Sequence, residues 1–309
     1  MKAIALQPGT SNLRLADWPE PKIEKDDEIK AKVLSVGICG TDREEASGGR
    51  ADAPRGEKEL IIGHEMVAKV VEVGRAVKKV AIGDPVVFTV RRECGQPQCP
   101  ACKISRSDMC ITGNYTERGI KGRHGFQAEY VVDREQYVVK VPPEIADIAV
   151  LTEPMSVVQK AIDEATIIQT NRMPYLKGKQ HWLEGKTALV AGLGPIGLLG
   201  AVVLRLRGAQ VIGLARESTD SYRAKLLGAI GGTYINDKAI SLAEIGQKYP
   251  DIHLILDAVG SAKLDFDLLD ILGVNGVFVL TGVPGEQPPV ALDGAKIIRK
   301  LVLGNQAMV

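Results

Sequence analysis

Between Lys2 and about Val141, apolar and polar positions follow one another in short runs separated by turn residues. The run Ile29-Lys30-Ala31-Lys32-Val33-Leu34-Ser35-Val36 partly alternates, the period-two signature of a strand with one buried face. Residues 67–73 and 84–90 read as further strands, and Gly83-Asp84 as the turn between them. The pattern predicts a β-rich, barrel-like first half. After a helical stretch at 154–170 the rhythm changes. Apolar strand candidates at 186–191, 210–215, 253–257 and 276–281 are spaced by segments long enough for helices. That alternation predicts a parallel sheet covered on both faces. The boundary is expected near Glu153-Pro154, giving domains at 1–154 and 155–309, and residues 171–185 are expected to form an exposed connection.

Length supports two domains, since 309 residues are many for one core. A net charge of +1 gives no electrostatic case for nucleic acid or an anionic membrane, which leaves small molecules as the expected partners. Residues 187–206 are apolar over about the 20 positions of a membrane helix. Gly192, Gly194, Pro195, Gly197 and Gly200 interrupt them, so the segment reads as strand, turn and helix. The first eight residues carry one cation and no apolar stretch of signal-peptide length, so a cytoplasmic protein is expected.

The strand-turn-helix segment holds the first candidate chemistry. In Ala191-Gly192-Leu193-Gly194-Pro195-Ile196-Gly197, a G-x-G-x-x-G follows a predicted strand and opens a predicted helix. Gly192 allows the tight turn, Gly194 lets a pyrophosphate approach the backbone, and Gly197 lets helix and strand pack closely. At the end of the next strand, Ala215 stands where an acid would bind the ribose 2′-hydroxyl of NAD, and Arg216 suits a 2′-phosphate. The expectation is NADP, with Glu217 leaving NAD possible.

Cysteine supplies the second. Cys94, Cys99, Cys102 and Cys110 fall within 17 positions, and four thiolates on one loop can close a tetrahedral, structural zinc shell. A disulfide framework is the alternative, disfavoured by the odd count of five and the reducing compartment expected. The fifth, Cys39, lies upstream of Gly63-His64-Glu65. A thiolate, an imidazole and a distant carboxylate would leave zinc an open position.

These motifs, in this order and with Glu153-Pro154 between them, resemble the zinc-containing medium-chain alcohol dehydrogenases over the whole chain. Cys39-Gly40-Thr41-Asp42-Arg43-Glu44, Arg91-Arg92 and Gly125-Phe126 are similar to the archaeal and thermophile glucose 1-dehydrogenases within that superfamily. The resemblance implies an α/β fold, a GroES-like barrel catalytic domain followed by a doubly wound Rossmann domain. It implies two zinc ions per subunit and oxidation of an aldose, D-glucose first, at C1 to the aldonolactone with hydride transfer to NADP or NAD. By the same likeness Cys39, His64 and Glu153 are ligands of the catalytic zinc and Glu65 an outer or exchanging one. Strand alternation puts His64 and Glu65 on opposite faces unless the chain bends, which ranks Glu65 below the others. The likeness also makes Asp42 the acceptor that orients His64, Thr41 the hydroxyl that passes on the substrate proton, and Glu117 a partner of sugar hydroxyls. Relatives are commonly homodimers or homotetramers.

Several positions depart from the pattern. The first spacing in the cysteine loop is x4 rather than x2, so Cys94 either reaches over Gly95-Gln96-Pro97-Gln98 or the site is weakened. Val90 and Val157 are apolar where near relatives can contact sugar, which keeps a polyol, threonine or simple alcohol as alternative substrates. The chain stops at Val309, ahead of a segment that in relatives returns to the catalytic domain; a truncated chain is expected, and a non-catalytic nucleotide-binding redox sensor is the alternative from another class. His124, His181 and His253 match no ligand position and are expected to be surface or structural residues.

Overall fold

The computed structural model describes every residue except Gln180 and Glu286. Two compact units divide the chain, Met1–Glu153 and Pro154–Val309.

The first unit is built on a five-stranded antiparallel sheet. Its strands are β3 (Glu28–Gly37), β5 (Glu65–Val73), β6 (Pro85–Phe88), β10 (Tyr130–Arg134) and β11 (Val138–Lys140), in the order β10-β3-β5-β6-β11. One side chain in two from each strand enters the core. Ile29 and Ala31 meet Met66, Ala68, Val70, Val86, Phe88 and Val131 around the buried Phe126. A second sheet, β2-β1-β4, joins β1 (Lys2–Leu6), β2 (Leu13–Asp17) and β4 (Leu60–Ile61). A third, β7-β8-β9, joins β7 (Arg91–Arg92), β8 (Thr116–Arg118) and β9 (Gly122–Arg123). A buried ion triad anchors this small sheet to β10. Asp133, 5% exposed, accepts from Arg92 Nη2 at 2.5 Å and from Arg118 Nε and Nη2 at 3.0 and 2.6 Å. Burial opposes the Asp133 charge, but the two guanidinium groups outweigh it and hold the carboxyl below its ordinary range. Two short helices complete the unit, α1 (Gly40–Ala46) and α2 (Pro100–Lys103).

The second unit holds a parallel sheet of β12 (Thr187–Ala191), β13 (Gln210–Ala215), β14 (Thr233–Asn236), β15 (Ile252–Asp257), β16 (Leu272–Leu280) and β17 (Ala307–Met308), in the order β14-β13-β12-β15-β16-β17. Successive residues feed opposite cores. Ala188, Val190, Val211, Leu254, Leu256, Val277 and Val279 pack on one face with α3 (Thr152–Arg172) and α4 (Pro195–Leu206). Leu189, Ala191, Ile212, Leu214, Ile255 and Phe278 pack on the other with α6 (Leu242–Lys248), α7 (Ala262–Leu268) and α8 (Gly294–Leu303); α5 (Tyr222–Ala229) follows β13. Both faces are apolar, which is why these strands read as continuous apolar runs. No described helix is long and apolar enough to cross a membrane.

Three expectations change. The sheet has β14 and β17 in addition to the four strands expected, and β16 begins at Leu272, four residues early, passing through Asn275 at φ 58°. Residues 171–185 are no free loop. Met173, Leu176, Trp182 and Leu183 are buried in the core beneath α3, and Trp182 Nε1 donates to Thr166 Oγ1 at 3.2 Å. Their apolar area outweighs the polar and glycine residues that suggest a loop; Gln180 within this stretch lies outside the described residues.

Candidate functional site

Cys39 ends the extended run of β3 and is the N-cap of α1. The Asp42 carboxylate accepts from the Cys39 backbone N–H at 2.8 Å, and Thr41 N–H donates to Cys39 Sγ at 3.2 Å. This capping box fixes the thiol before any ligand binds. His64 and Glu65 approach from the other side. Gly63 lies at φ +91° and β5 begins only at Glu65, so the chain turns just before His64 and the strand starts after it. Gly37 faces Glu65 across the ladder, and a Cβ there would stand 2.0 Å from Glu65 Oε2. Only glycine leaves room for the carboxylate.

The result is a cluster. Cys39 Sγ is 3.0 Å from His64 Nε2, and one ligand atom each of Cys39, His64 and Glu65 lies within 4.8 Å of the others. Glu65 joins Cys39 and His64 although strand alternation ranks it below Glu153, because His64 precedes the strand and alternation does not apply to it. Glu153 acts on the cluster through charge. Burial pushes the Glu153 carboxyl up to about 7, against the pull of His64 and with the repulsion of Glu65, Asp42 and Glu117. For His64, burial works against the charge, but Cys39, Asp42 and Glu153 outweigh it and raise the imidazole to about 9.

His64 Nδ1 lies 3.8 Å from Asp42 Oδ1, and both atoms are buried without a hydrogen-bond partner. A cation among Sγ, Nε2 and the carboxylate would draw this pair together, since a ligating imidazole donates its other N–H to an acceptor. Thiolate, imidazole and carboxylate at this separation are the donor set of zinc, and the site fits that ion. Glu45 on α1 is fully buried and neither carboxyl oxygen has a hydrogen-bond partner; burial first, then Asp42, push it up to about 8. A single sequence gives no sign of it, because a Glu on a short helix normally faces water.

Thr41 is half-buried and its Oγ1 accepts from Arg50 Nη2 at 3.2 Å. Glu117 lies on β8, where Oε1 accepts from Arg91 Nε and Nη2 at 2.9 and 2.7 Å. The Arg91 guanidinium in turn stacks 4.1 Å from the Tyr115 ring centroid. Neither arginine partner is evident from sequence, because β7 and β8 become neighbours only in the sheet. Val90 packs against the first unit's core, and Val157 is exposed on α3. His124 bridges Glu57 (Nε2, 2.8 Å) and the Ile61 N–H (Nδ1, 3.2 Å) against Trp18, His181 is exposed and His253 half-buried in β15.

The Sγ atoms of Cys94, Cys99, Cys102 and Cys110 also lie within 4.8 Å of one another. Cys94 does reach over the long spacing. Gly95 takes φ +66° and Cys99 N–H closes on Gln96 O at 3.1 Å, which folds the extra residues outward. The Thr112 hydroxyl, against burial, brings Cys110 down to about 6. The Cys94 amide works to lower Cys102, but burial and the neighbouring thiols push it up to about 12. Four thiols so close cannot all ionise without a cation, and as thiolates they fit a closed zinc shell.

In the second unit β12 runs into Gly192 at φ +86°, with Gly194 the N-cap and Pro195 the first residue of α4. A Cβ at Gly197 would stand 1.8 Å from Gly192 O, while space over Gly194 is open. Ile196 packs into the core. Ala215 ends β13 and is buried; Arg216 beyond it is 74% exposed in its side chain and 3.3 Å from Asp237 Oδ2. Glu217 is paired with Arg223, and its carbonyl accepts from Asn236 Nδ2 and Tyr234 Oη, both at 2.6 Å. Arg223, paired with Glu217, is a second cation at this strand end that the strand-end rule does not find, because it comes from α5.

Residues 25–143 match the Alcohol dehydrogenase GroES-like domain, and residues 146–309 match the family described as Glucose dehydrogenase C-terminus. The chain belongs to the glucose dehydrogenase family. Within that family it is 42% identical over 312 residues to glucose 1-dehydrogenase 2 of Vulcanisaeta moutnovskia, covering all of this chain and 82% of the relative. It is 38% identical over 309 residues to the glucose 1-dehydrogenase of Methanocella arvoryzae, covering 100% and 83%. Its fold superimposes on Haloferax mediterranei glucose dehydrogenase, solved with NADP, Zn and gluconolactone, with a TM-score of 0.86 at 30% identity, covering 100% of this chain and 84% of that one.

Proposed function

We propose that this member of the glucose dehydrogenase family is a zinc-dependent glucose 1-dehydrogenase that oxidises D-glucose, or a closely related aldose, at C1 to the aldonolactone, with NADP preferred over NAD. The convergence of Cys39, His64 and Glu65 within 4.8 Å carries the reading, and the relatives named above support the substrate. Zinc, held by Cys39, His64 and Glu65 with Glu153 as the nearby acid, supplies a Lewis acid that lowers the pKa of the sugar hydroxyl. NADP supplies the acceptor for the two electrons that leave C1 as hydride.

The chain's own residues do the rest. Thr41 Oγ1 takes the hydroxyl proton as its own O–H proton passes outward; Arg50 Nη2 donates to the same oxygen and turns the Thr41 O–H away from the guanidinium. Arg91 occupies Glu117 Oε1, which leaves Oε2 to accept a sugar hydroxyl at a fixed angle. With zinc bound, Asp42 would accept from His64 Nδ1 and so fix the tautomer whose Nε2 faces the thiol. Arg216 and Arg223 supply cations for a 2′-phosphate. The second zinc belongs to Cys94, Cys99, Cys102 and Cys110.

Assay of the purified protein with D-glucose and NADP, before and after exhaustive chelation, tests the reading. Activity lost on chelation and restored by zinc is expected; full activity without metal would sink the zinc assignment. Val90 favours a second reading, a polyol or simple alcohol substrate, because an apolar side chain stands where a sugar contact is expected. A panel of sugars, polyols and alcohols separates the two by kcat/KM. We also propose a cytoplasmic homodimer or homotetramer. Five unpaired cysteines support a reducing compartment, and the exposed Ile298, Val302 and Leu303 on α8 support association. Light scattering after size exclusion tests the assembly.

A further inference from the structure

Asp257 is the last residue of β15 and has no exposed surface. Its Oδ1 accepts from Val259 N–H at 2.9 Å and its Oδ2 from Gly260 N–H at 3.2 Å. Its carbonyl accepts from the N–H groups of Thr281 and Gly282 at 3.0 and 3.3 Å and from the Thr281 hydroxyl. One residue therefore ties together the segments that leave β15 and β16. The first of them lies against the glycine turn. Ala258 N–H donates to Ala191 O at 2.8 Å, and a Cβ on Gly192 would stand 2.8 Å from Val259 Cγ2 and 3.0 Å from Ala258 O. Gln287 closes the outer side, donating to Gly260 O at 2.7 Å and accepting from Ala262 N–H at 3.1 Å.

Beneath this segment lies a second acid. Asp265 on α7 is 8% exposed, its carboxyl hydrogen-bonds to that of Asp257, and its Oδ1 has no partner. Two buried carboxyl groups in mutual contact need one proton between them. Both Asp257 oxygens already accept from backbone N–H groups, and the proton between the two carboxyl groups is therefore placed on Asp265. Burial first and the Asp257 charge second raise Asp265 to about 7.

We propose that Asp257 and Asp265 are positioning residues for the bound dinucleotide: Asp265 donates a hydrogen bond to Asp257, which holds Ala258-Val259-Gly260 against the Gly192 turn as part of the cofactor floor. This rests on the reading of Gly192, Gly194 and Gly197 as the nucleotide site. Asparagine at 265 keeps a donor toward Asp257; alanine leaves the Asp257 carboxylate without one.

The test is fluorescence titration of NADPH into the full-length protein, wild type beside Asp265→Asn, Asp265→Ala and Gln287→Leu, with melting curves to verify folding. Asp265→Ala weakens the NADPH dissociation constant by about tenfold, Asp265→Asn stays within about threefold of wild type, and Gln287→Leu weakens it by a smaller factor. Recovery in the asparagine variant separates positioning from mere packing. If Asp265→Ala folds and binds like wild type, or Asp265→Asn is as weak as Asp265→Ala, the proposal is wrong. If Asp265→Ala does not fold, Gln287→Leu with wild-type affinity overturns it. A wild-type protein that binds neither NADPH nor NADH would instead overturn the nucleotide reading, and this proposal with it.

Discussion

Arg216 leaves the end of β13 with most of its side chain in solvent, paired with Asp237 at 3.3 Å. A 2′-phosphate would replace that single carboxylate with a charge-assisted pair, about 1.5–3 kcal/mol for such a bond. Arg216→Ala is therefore expected to raise KM for NADP by roughly 10- to 100-fold and to leave KM for NAD within about threefold, both read from initial rates. Equal effects on the two cofactors would show that Arg216 does not meet the 2′-phosphate. Asp133 makes the opposite case, a charge whose partners are as buried as itself. Asp133→Ala strands Arg92 and Arg118, at a cost of about 3–5 kcal/mol, measured as the loss in denaturant midpoint of the first unit. Residues of this kind divide sharply in legibility. The four clustered cysteines stand out by type and spacing alone, whereas Cys39 and His64 stand out only with the family resemblance. The convergence of Glu65, the grip of Arg91 on Glu117, and the burial of Glu45 and Asp265 depend on which strands and helices become neighbours, and no period in the sequence encodes that.

At the scale of elements, β12, β13 and β15 are legible because strands covered on both faces are apolar throughout, and the turn from Gly192 to α4 is legible because its glycines do separate steric work. β14, Thr233–Asn236, is short, with one buried side chain, and β17 has only two residues; neither carries enough pattern to be seen. The Gly192 turn also yields a prediction. With a Cβ 1.8 Å from Gly192 O, Gly197→Ala must push α4 off the strand, and overpacking of this kind costs about 1–3 kcal/mol. The variant is expected to fold with a lower melting temperature and to lose NADPH binding by at least about tenfold in the same fluorescence titration. Normal affinity would show that the turn tolerates the displacement. The cysteine loop supports a second. Apart from Cys99 and Cys102, residues 94–110 bury no side chain, so the ion is expected to hold the loop's shape. Chelation should expose this loop to limited proteolysis while the two sheets keep their circular dichroism; cleavage at the same rate with and without chelator would contradict a structural zinc there.

For the whole molecule, buried carboxyl groups should answer pH with opposite signs according to what surrounds them. In the first unit the folded-state pKa of Asp133 is depressed, so its contribution is complete above the unfolded value of about 3.9 and is lost as pH falls below it. In the second, Asp265 is raised to about 7. There the folded state holds a proton that the unfolded chain releases near pH 3.9, so stability is greatest below that value and declines as pH rises toward 7. The slope is at most about 1.4 kcal/mol per pH unit, the limit for one proton. Asp265→Asn carries no titrating proton at that position, so its melting temperature should fall less than the wild type's between pH 5 and pH 8, and the two curves should converge at acid pH. Melting scans of both proteins at half-unit pH steps measure the difference. Parallel curves would mean that Asp265 ionises in the folded protein as it does in the unfolded chain, and that Asp257 stands without its proton partner.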